Sequence, residues 1–422
     1  MEGKAVKNLY LFVGWLGSLF LFGLYASGSL LGGDMRESIL KGVYPLIVVS
    51  ILFVFVKSIR EVKIIVLMLP YALFFSISFL SFLNIAEPLT GAYVVNSSVF
   101  LYGLSFYSVS LAYMLRKGNV SFSSWSMAAN PLLVVTGPVL VVDNFYLHAN
   151  FRRRIRYFGP FVVLGIFLYL IISLPLIGFM PLRVKTDLVS SVVFALIFEV
   201  FVYSNFAGIS LLFYGLFGIM GIRIPLNFRQ PFSATSLIEF WRGWHISLST
   251  VMKVFFYTPV RSQHNSGLAI IVVFVSSGLW HGISLNFIIW GVFHAAFFIL
   301  TLWLVKRAWT FAACLLFPFG VIIGRLIFAE SKTSVLLEKL QFNYDSFAVF
   351  GEVLNFTSSS LFALFLGLSF VAAEFVMRNT RYFIKRNYKF YRLPVVQLVL
   401  VAITLLSLND DIFLGYAAYG QR

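Results

Sequence analysis

From Ser266 to Val305 the chain runs about 40 residues without a single Asp, Glu, Lys or Arg, twice what one bilayer crossing needs. That length forces two spans or one bent span, and the triplet Trp280-His281-Gly282 marks the break. An ionisable side chain at such depth is costly in hydrocarbon, so it marks a functional position by default. His281 is therefore the first candidate site residue.

The same apolar character recurs along the whole chain. Of 422 residues 60% are hydrophobic and only 11% charged, too little polar surface for a soluble protein of this size. The expected fold is an all-α polytopic membrane protein, one domain over residues 1–422 with no internal repeat or soluble part. Apolar windows place spans near Asn8–Ser27, Gly42–Val56, Lys63–Asn84, Ser97–Leu115, Tyr157–Met180 and Asp187–Gly208. Further spans fall near Ser266–Leu279, Ile283–Val305, Ala308–Phe328, Ser359–Met377 and Leu393–Leu408. That makes about 11 transmembrane helices. Two shorter pieces, Pro131–Val142 and Ile209–Ile222, have the length of re-entrant or interfacial segments.

The net charge of +16 sits in short loops between spans. This is the pattern of membrane orientation and not of a nucleic-acid stripe, so nucleic acid is excluded as a partner. Loops carrying Lys57, Arg60, Arg116, Lys117, the cluster Arg152–Arg156 and the run Arg378–Arg392 fall on one side. They predict a cytoplasmic N-terminus and an external C-terminus, with Arg36, Lys41, Arg183 and Lys185 as exceptions. The start, Met1–Lys7 before an apolar run, reads as an uncleaved first helix. One cysteine, Cys314, excludes an internal disulfide and a cysteine-clustered metal site.

A second unusual stretch, Ser236–Ser249, mixes aromatic, charged and hydroxyl residues. Ser236 and Glu239 have capping-box spacing. On one continuous helix Trp241, Trp244, His245 and Leu248 would share a face, with Arg242 pointing elsewhere. His245 thereby joins His281 as a histidine on an apolar face. Neither has a second ligand at HxxxH spacing, so a metal site is not expected. Neutral histidine accepts a proton near physiological pH, and burial favours the neutral form. A hydroxyl attacking an activated thioester needs such a base but no enzyme nucleophile, which agrees with the lack of a GxSxG elbow.

FWRGWHISLS (Phe240–Ser249), SSGLWHG (Ser276–Gly282) and FIIWGVFHA (Phe287–Ala295) together resemble the membrane-bound O-acyltransferase (MBOAT) family. The similarity is to its bacterial branch of alginate O-acetylation and teichoic-acid D-alanylation proteins. Gly103–Leu115, Gly137-Pro138, Asn205–Ser210 and Gly221–Phe232 join in, so the motif-bearing core covers about residues 103–328. The resemblance implies a ring of tilted helices around a thinned centre and a tunnel where donor and acceptor meet. It implies that His281 is the essential histidine and that His245 orients a substrate or stabilises developing charge. It also brings Trp280, Trp244, Asn205, Arg242 and Ser249 forward as substrate-binding positions. Three positions depart from the branch: Asn205 in place of aspartate, Gly243 in place of a second arginine, and Val254 in place of an acidic residue after Lys253.

Other polar residues have structural readings. Glu199, inside a span, is expected to pair with Arg325 in a later one. His294, 13 residues beyond His281, is expected on roughly the opposite helical face, which suggests support and not catalysis. His148 and His264 fall in loops and are expected to be solvated. The cluster Arg152–Arg156 serves orientation, with attraction of a phosphorylated donor as the other reading.

These readings converge on a bacterial cytoplasmic (inner) membrane O-acyltransferase, multi-pass, acetylating an exported polysaccharide or cell-envelope glycan. No permanently bound cofactor is expected. The co-substrate would be an acyl thioester, acetyl-CoA or an acyl carrier protein. Partners would be membrane lipid, the glycan acceptor and, by the resemblance, a secreted or periplasmic transfer protein. D-alanyl transfer to teichoic acid from a carrier protein is the alternative within the class, and a glycan-intermediate transporter or flippase the alternative outside it.

Overall fold

The computed structural model describes residues 150–409, apart from 222, 223, 283, 331, 342 and 344–346. The four expected spans before residue 116, the short piece Pro131–Val142 and His148 lie outside these residues, as do the family-like segments Gly103–Leu115 and Gly137-Pro138. Within them the chain is helical and has no strand. Among the described residues five helices are long and apolar enough to cross a membrane.

The first rod runs Phe151–Val184. It begins as α1 (Phe151–Ile166), capped by the Asn150 side chain on the Arg153 N–H, and continues through a π-helical stretch, Phe167–Ser173. Pro175 lies just beyond and has no N–H to give the helical ladder, a common origin of such a widened turn. A 3-10 stretch, Ile177–Val184, ends the rod.

Asp187 then caps α2 (Leu188–Met220), a single helix of 33 residues. The expected break after Gly208 is absent, so Ile209–Ile222 is no separate re-entrant piece: Ile209–Met220 continues the span. Gly208 does not interrupt the helix because it meets α1 there. A Cβ on Gly165 would stand 2.7 Å from the Gly208 carbonyl oxygen, so the two backbones touch where neither carries a side chain. At about 50 Å the helix exceeds the hydrocarbon thickness. It stops at Gly221, whose φ of 92° suits only glycine.

Between α2 and the long apolar run lie short helices: α3 (Leu237–Gly243), α4 (Ile246–Val251), a π-helical turn (Met252–Tyr257) and α5 (Thr258–Gln263). The single helix expected across Trp241–Leu248 is therefore two. Trp244 is extended, and His245 adopts the left-handed region at φ 42°, ψ 59°. The break follows from two backbone bonds that draw the 243–246 segment away from helical pairing. Arg229 N–H donates to the Gly243 carbonyl (2.9 Å), and Ile246 N–H to the Asn227 carbonyl (2.8 Å).

The apolar run folds as a hairpin of α6 (Ser266–His281) and α7 (Leu285–Lys306), with its break at Gly282 as the length argument requires. Next come α8 (Thr310–Ala329), α9 (Thr333–Lys339), α10 (Ala348–Leu354), α11 (Ser358–Val376) and α12 (Pro394–Asn409). The exposed aromatic and aliphatic side chains on α7, α8, α11 and α12 suit a lipid-facing surface. Cys314 lies partly buried in α8.

Candidate functional site

The site begins at the junction of α3 and α4. Ser236 caps α3 through the Glu239 N–H, and the Glu239 carboxylate accepts from the Thr235 N–H at 2.9 Å. The capping box is thus present, its return bond falling one residue earlier than the standard pattern. Beyond α3 the left-handed backbone at His245 turns the imidazole into the interior. A non-glycine residue there is strained and persists only where its surroundings hold it. Asn227 does much of that holding: its Oδ1 accepts from the Ser247 N–H (3.0 Å) and hydroxyl (2.8 Å).

His281 is the last residue of α6, presented where the helix ends and Gly282 continues as extended backbone. Its ring packs at 4.7 Å edge-on to Phe328 of α8 and at 4.7 Å from Trp280. Trp280, itself buried, also stands 6.4 Å from the His245 ring. Phe228 stacks parallel to His245 at 6.2 Å. The two histidines therefore meet around one tryptophan, with His245 buried and His281 half-buried. They interact electrostatically with each other, and His281 also with Arg325.

Arg325 of α8 forms an ion pair with Glu199 of α2, the pairing expected from two ionisable residues in separate spans. Its guanidinium also lies over the rings of Trp244 (5.5 Å) and Phe328 (5.2 Å), each a face that attracts a cation. Phe328 touches His281, and Trp244 adjoins His245 in the chain. The ion pair thus braces the aromatic walls beside both imidazoles.

The remaining sequence candidates scatter. Asn205 donates to the Ser173 hydroxyl at 3.0 Å, tying α2 to the π-helical stretch. Arg242 is exposed near the end of α3. Ser249 reaches back to the Trp244 carbonyl at 3.4 Å. His264 is exposed at the end of α5. His294 is closer to the centre than a continuous helix would put it. Because α6 ends at His281, the helical wheel does not run through, and Trp290 bridges His281 (6.1 Å) and His294 (4.6 Å).

Several residues have no precedent in the sequence reading. Glu374 of α11 is fully buried, accepting from the Tyr203 hydroxyl (2.8 Å) and the Phe232 N–H (3.2 Å). A lone carboxylate inside the expected span Ser359–Met377 was the signal for it. Gln230, Arg386 and Tyr388 gave none. Gln230 Oε1 accepts from the Tyr388 N–H at 2.7 Å, and the Arg386 guanidinium donates to backbone carbonyls before and within α3. Burial lowers the pKa of that guanidinium against the opposing pull of Glu239 and Glu374, and raises that of the Tyr388 phenol.

Residues 140–327, which contain both histidine segments, match the model of the membrane-bound O-acyltransferase family. The chain is 38% identical over 104 residues to the probable alginate O-acetylase AlgI of Pseudomonas syringae pv. tomato, covering 24% of this chain and 20% of that one. It is 36% identical over 96 residues to the peptidoglycan O-acetyltransferase of Helicobacter pylori, covering 22% and 18%. With the teichoic acid D-alanyltransferase of Bacillus subtilis it shares 32% over 109 residues, covering 23% and 28%. The aligned stretches thus span under a third of the relatives' own lengths. The segment in which His245 and His281 meet is accordingly similar to the membrane-bound O-acyltransferase family.

Proposed function

We propose that the protein is a membrane-embedded O-acyltransferase that moves an acyl group, acetyl by preference, from a cytoplasmic thioester to a hydroxyl of an exported polysaccharide or cell-envelope glycan. The observation that carries this reading is the convergence of His245 and His281 around Trp280. Two segments about 36 residues apart in sequence bring two imidazoles into one aromatic chamber.

In this reading His281 accepts the proton of the acceptor hydroxyl as its oxygen bonds to the thioester carbonyl carbon. The carbonyl oxygen becomes an oxyanion, which His245 and neighbouring dipoles stabilise. One lost donor of that kind typically costs about 2.7–4 kcal/mol in the transition state. The oxyanion then collapses, the carbon–sulfur bond breaks, and the thiolate leaves with the proton from His281. Donor and acceptor reach the imidazole from opposite faces through a tunnel inside a ring of about 11 helices. The N-terminus is cytoplasmic, the membrane is the bacterial inner membrane, and a periplasmic or secreted protein completes the transfer. The similarity to the teichoic acid D-alanyltransferase supports a second reading within the class, D-alanyl transfer from a carrier protein.

Cells producing the full chain and fed labelled acetate test the proposal. Label should appear in surface glycan and be released by mild alkali as acetate. Release of D-alanine would establish the second reading. Glycan that crosses the membrane without any new ester would make the protein a transporter.

A further inference from the structure

Gly243 ends α3 two residues before His245, and the space beside it is occupied from far along the chain. A Cβ at Gly243 would stand 2.6 Å from Nη2 of Arg386, in the segment between α11 and α12. The guanidinium is held there by three backbone carbonyls. Nε and Nη2 donate to Gln230 O at 3.3 Å, Nη1 to Glu239 O at 3.1 Å, and Nη2 to Pro231 O at 3.5 Å. Glu239 lies in α3, so this bond brings a charged donor to a carbonyl in the second half of that short helix, toward the end where positive charge is favoured. Gln230, held at φ 42°, is gripped a second time by the Tyr388 backbone. The segment before Gln230 and the end of α3 are themselves joined by Arg229 N–H to Gly243 O.

We infer that Arg386, seated in the notch left by the absent side chain of Gly243, is a positioning residue that holds the left-handed turn at His245. The mechanism is mechanical. One planar cation satisfies carbonyls of the 230–231 segment and of α3, which ends two residues before the turn, so the two cannot separate without breaking several charge-assisted bonds. No single-charge substitute has that geometry, since lysine offers a compact ammonium without the planar fork. Arg386 itself lies outside residues 140–327, and only the consequence for turnover rests on the acyltransferase reading.

The test uses the full chain purified in detergent, with diethyl pyrocarbonate as the probe and each histidine read by peptide mass spectrometry. In Arg386→Ala the modification rate of His245 should rise at least about tenfold through local opening. Exposed His264 should stay as reactive as in the parent, and buried His294 as protected, which shows that the rest of the fold is intact. Arg386→Lys should fall between parent and alanine. Gly243→Ala should expel the guanidinium and reproduce the Arg386→Ala effect. Because both act through one contact, the double variant should be no worse than Arg386→Ala alone. Unchanged His245 reactivity in Arg386→Ala, or additive effects in the double variant, would overturn the inference.

Ester formation on glycan, measured in the same variants, should fall in step with His245 exposure. A reactive His245 with undiminished ester formation would also overturn it, as a turn without consequence for transfer. A parent protein that forms no ester would instead contradict the acyltransferase reading, leaving the His245 reactivity result to stand by itself.

Discussion

His281→Ala protein should insert, fold and bind a thioester donor, yet transfer acyl groups about a hundred- to ten-thousand-fold more slowly than the parent. The size follows from the loss of a positioned base, while the direction of the binding result follows from packing. His281 is half-buried at the end of α6 and contributes one ring to a wall otherwise built from Trp280, Phe328 and Trp290. Trimming it leaves those neighbours supported by their own contacts, so the chamber keeps its shape. His281→Gln, which keeps a polar group of similar reach but no titratable nitrogen, should be as slow. Initial rates of ester formation, set beside donor binding by calorimetry, check both halves. A variant that transfers at the parent's rate removes the base assignment.

The largest expected effect on stability belongs to Arg325. Arg325→Leu should destabilise the protein by about 3–5 kcal/mol in a denaturing-detergent titration, because it strands the Glu199 carboxylate inside the helix bundle. The side chains of Arg325 and Glu199 are 10% and 6% exposed, so water cannot replace the missing partner cheaply. The companion Glu199→Leu/Arg325→Leu should recover most of that loss, since removing both charges removes the desolvation penalty with them. Recovery of stability should not bring recovery of transfer. The guanidinium lies against Trp244 and Phe328, and those rings flank the two imidazoles. If the double variant were as unstable as the single one, the pair would be a minor part of a larger packing effect.

The membrane character, the helix class and the placement of the later spans were legible in residues, because a bilayer enforces a minimum apolar length that composition reveals directly. The Glu199–Arg325 pair was legible for the same reason: two ionisable groups in separate spans have few ways to lower their cost. The turn at His245 was not. Periodicity read Trp241–Leu248 as one helix, whereas hydrogen bonds from Arg229 to Gly243 and from Ile246 to Asn227 won over helical pairing. These bonds join backbone atoms 14 and 19 residues apart, and no side-chain period announces them. Window length misled in the opposite sense: it split Asp187–Gly208 from Ile209–Ile222, whereas α2 runs through Gly208, where it closely approaches Gly165. The placement of His294 near the site follows from the break at Gly282, and a wheel drawn through that break gave the wrong face. Arg386 was beyond reach because its partners are main-chain carbonyls, which leave no mark on the sequence.

The central claim is that the acyl group passes straight from thioester to hydroxyl, with a histidine taking only a proton. Rapid quenching of the purified full chain during turnover with acetyl-CoA and a glycan acceptor, followed by intact-mass analysis of the protein, tests it most directly. The account predicts unmodified protein at every time point while ester accumulates on the glycan. An acetylated protein that forms before the ester and decays as the ester appears would contradict it.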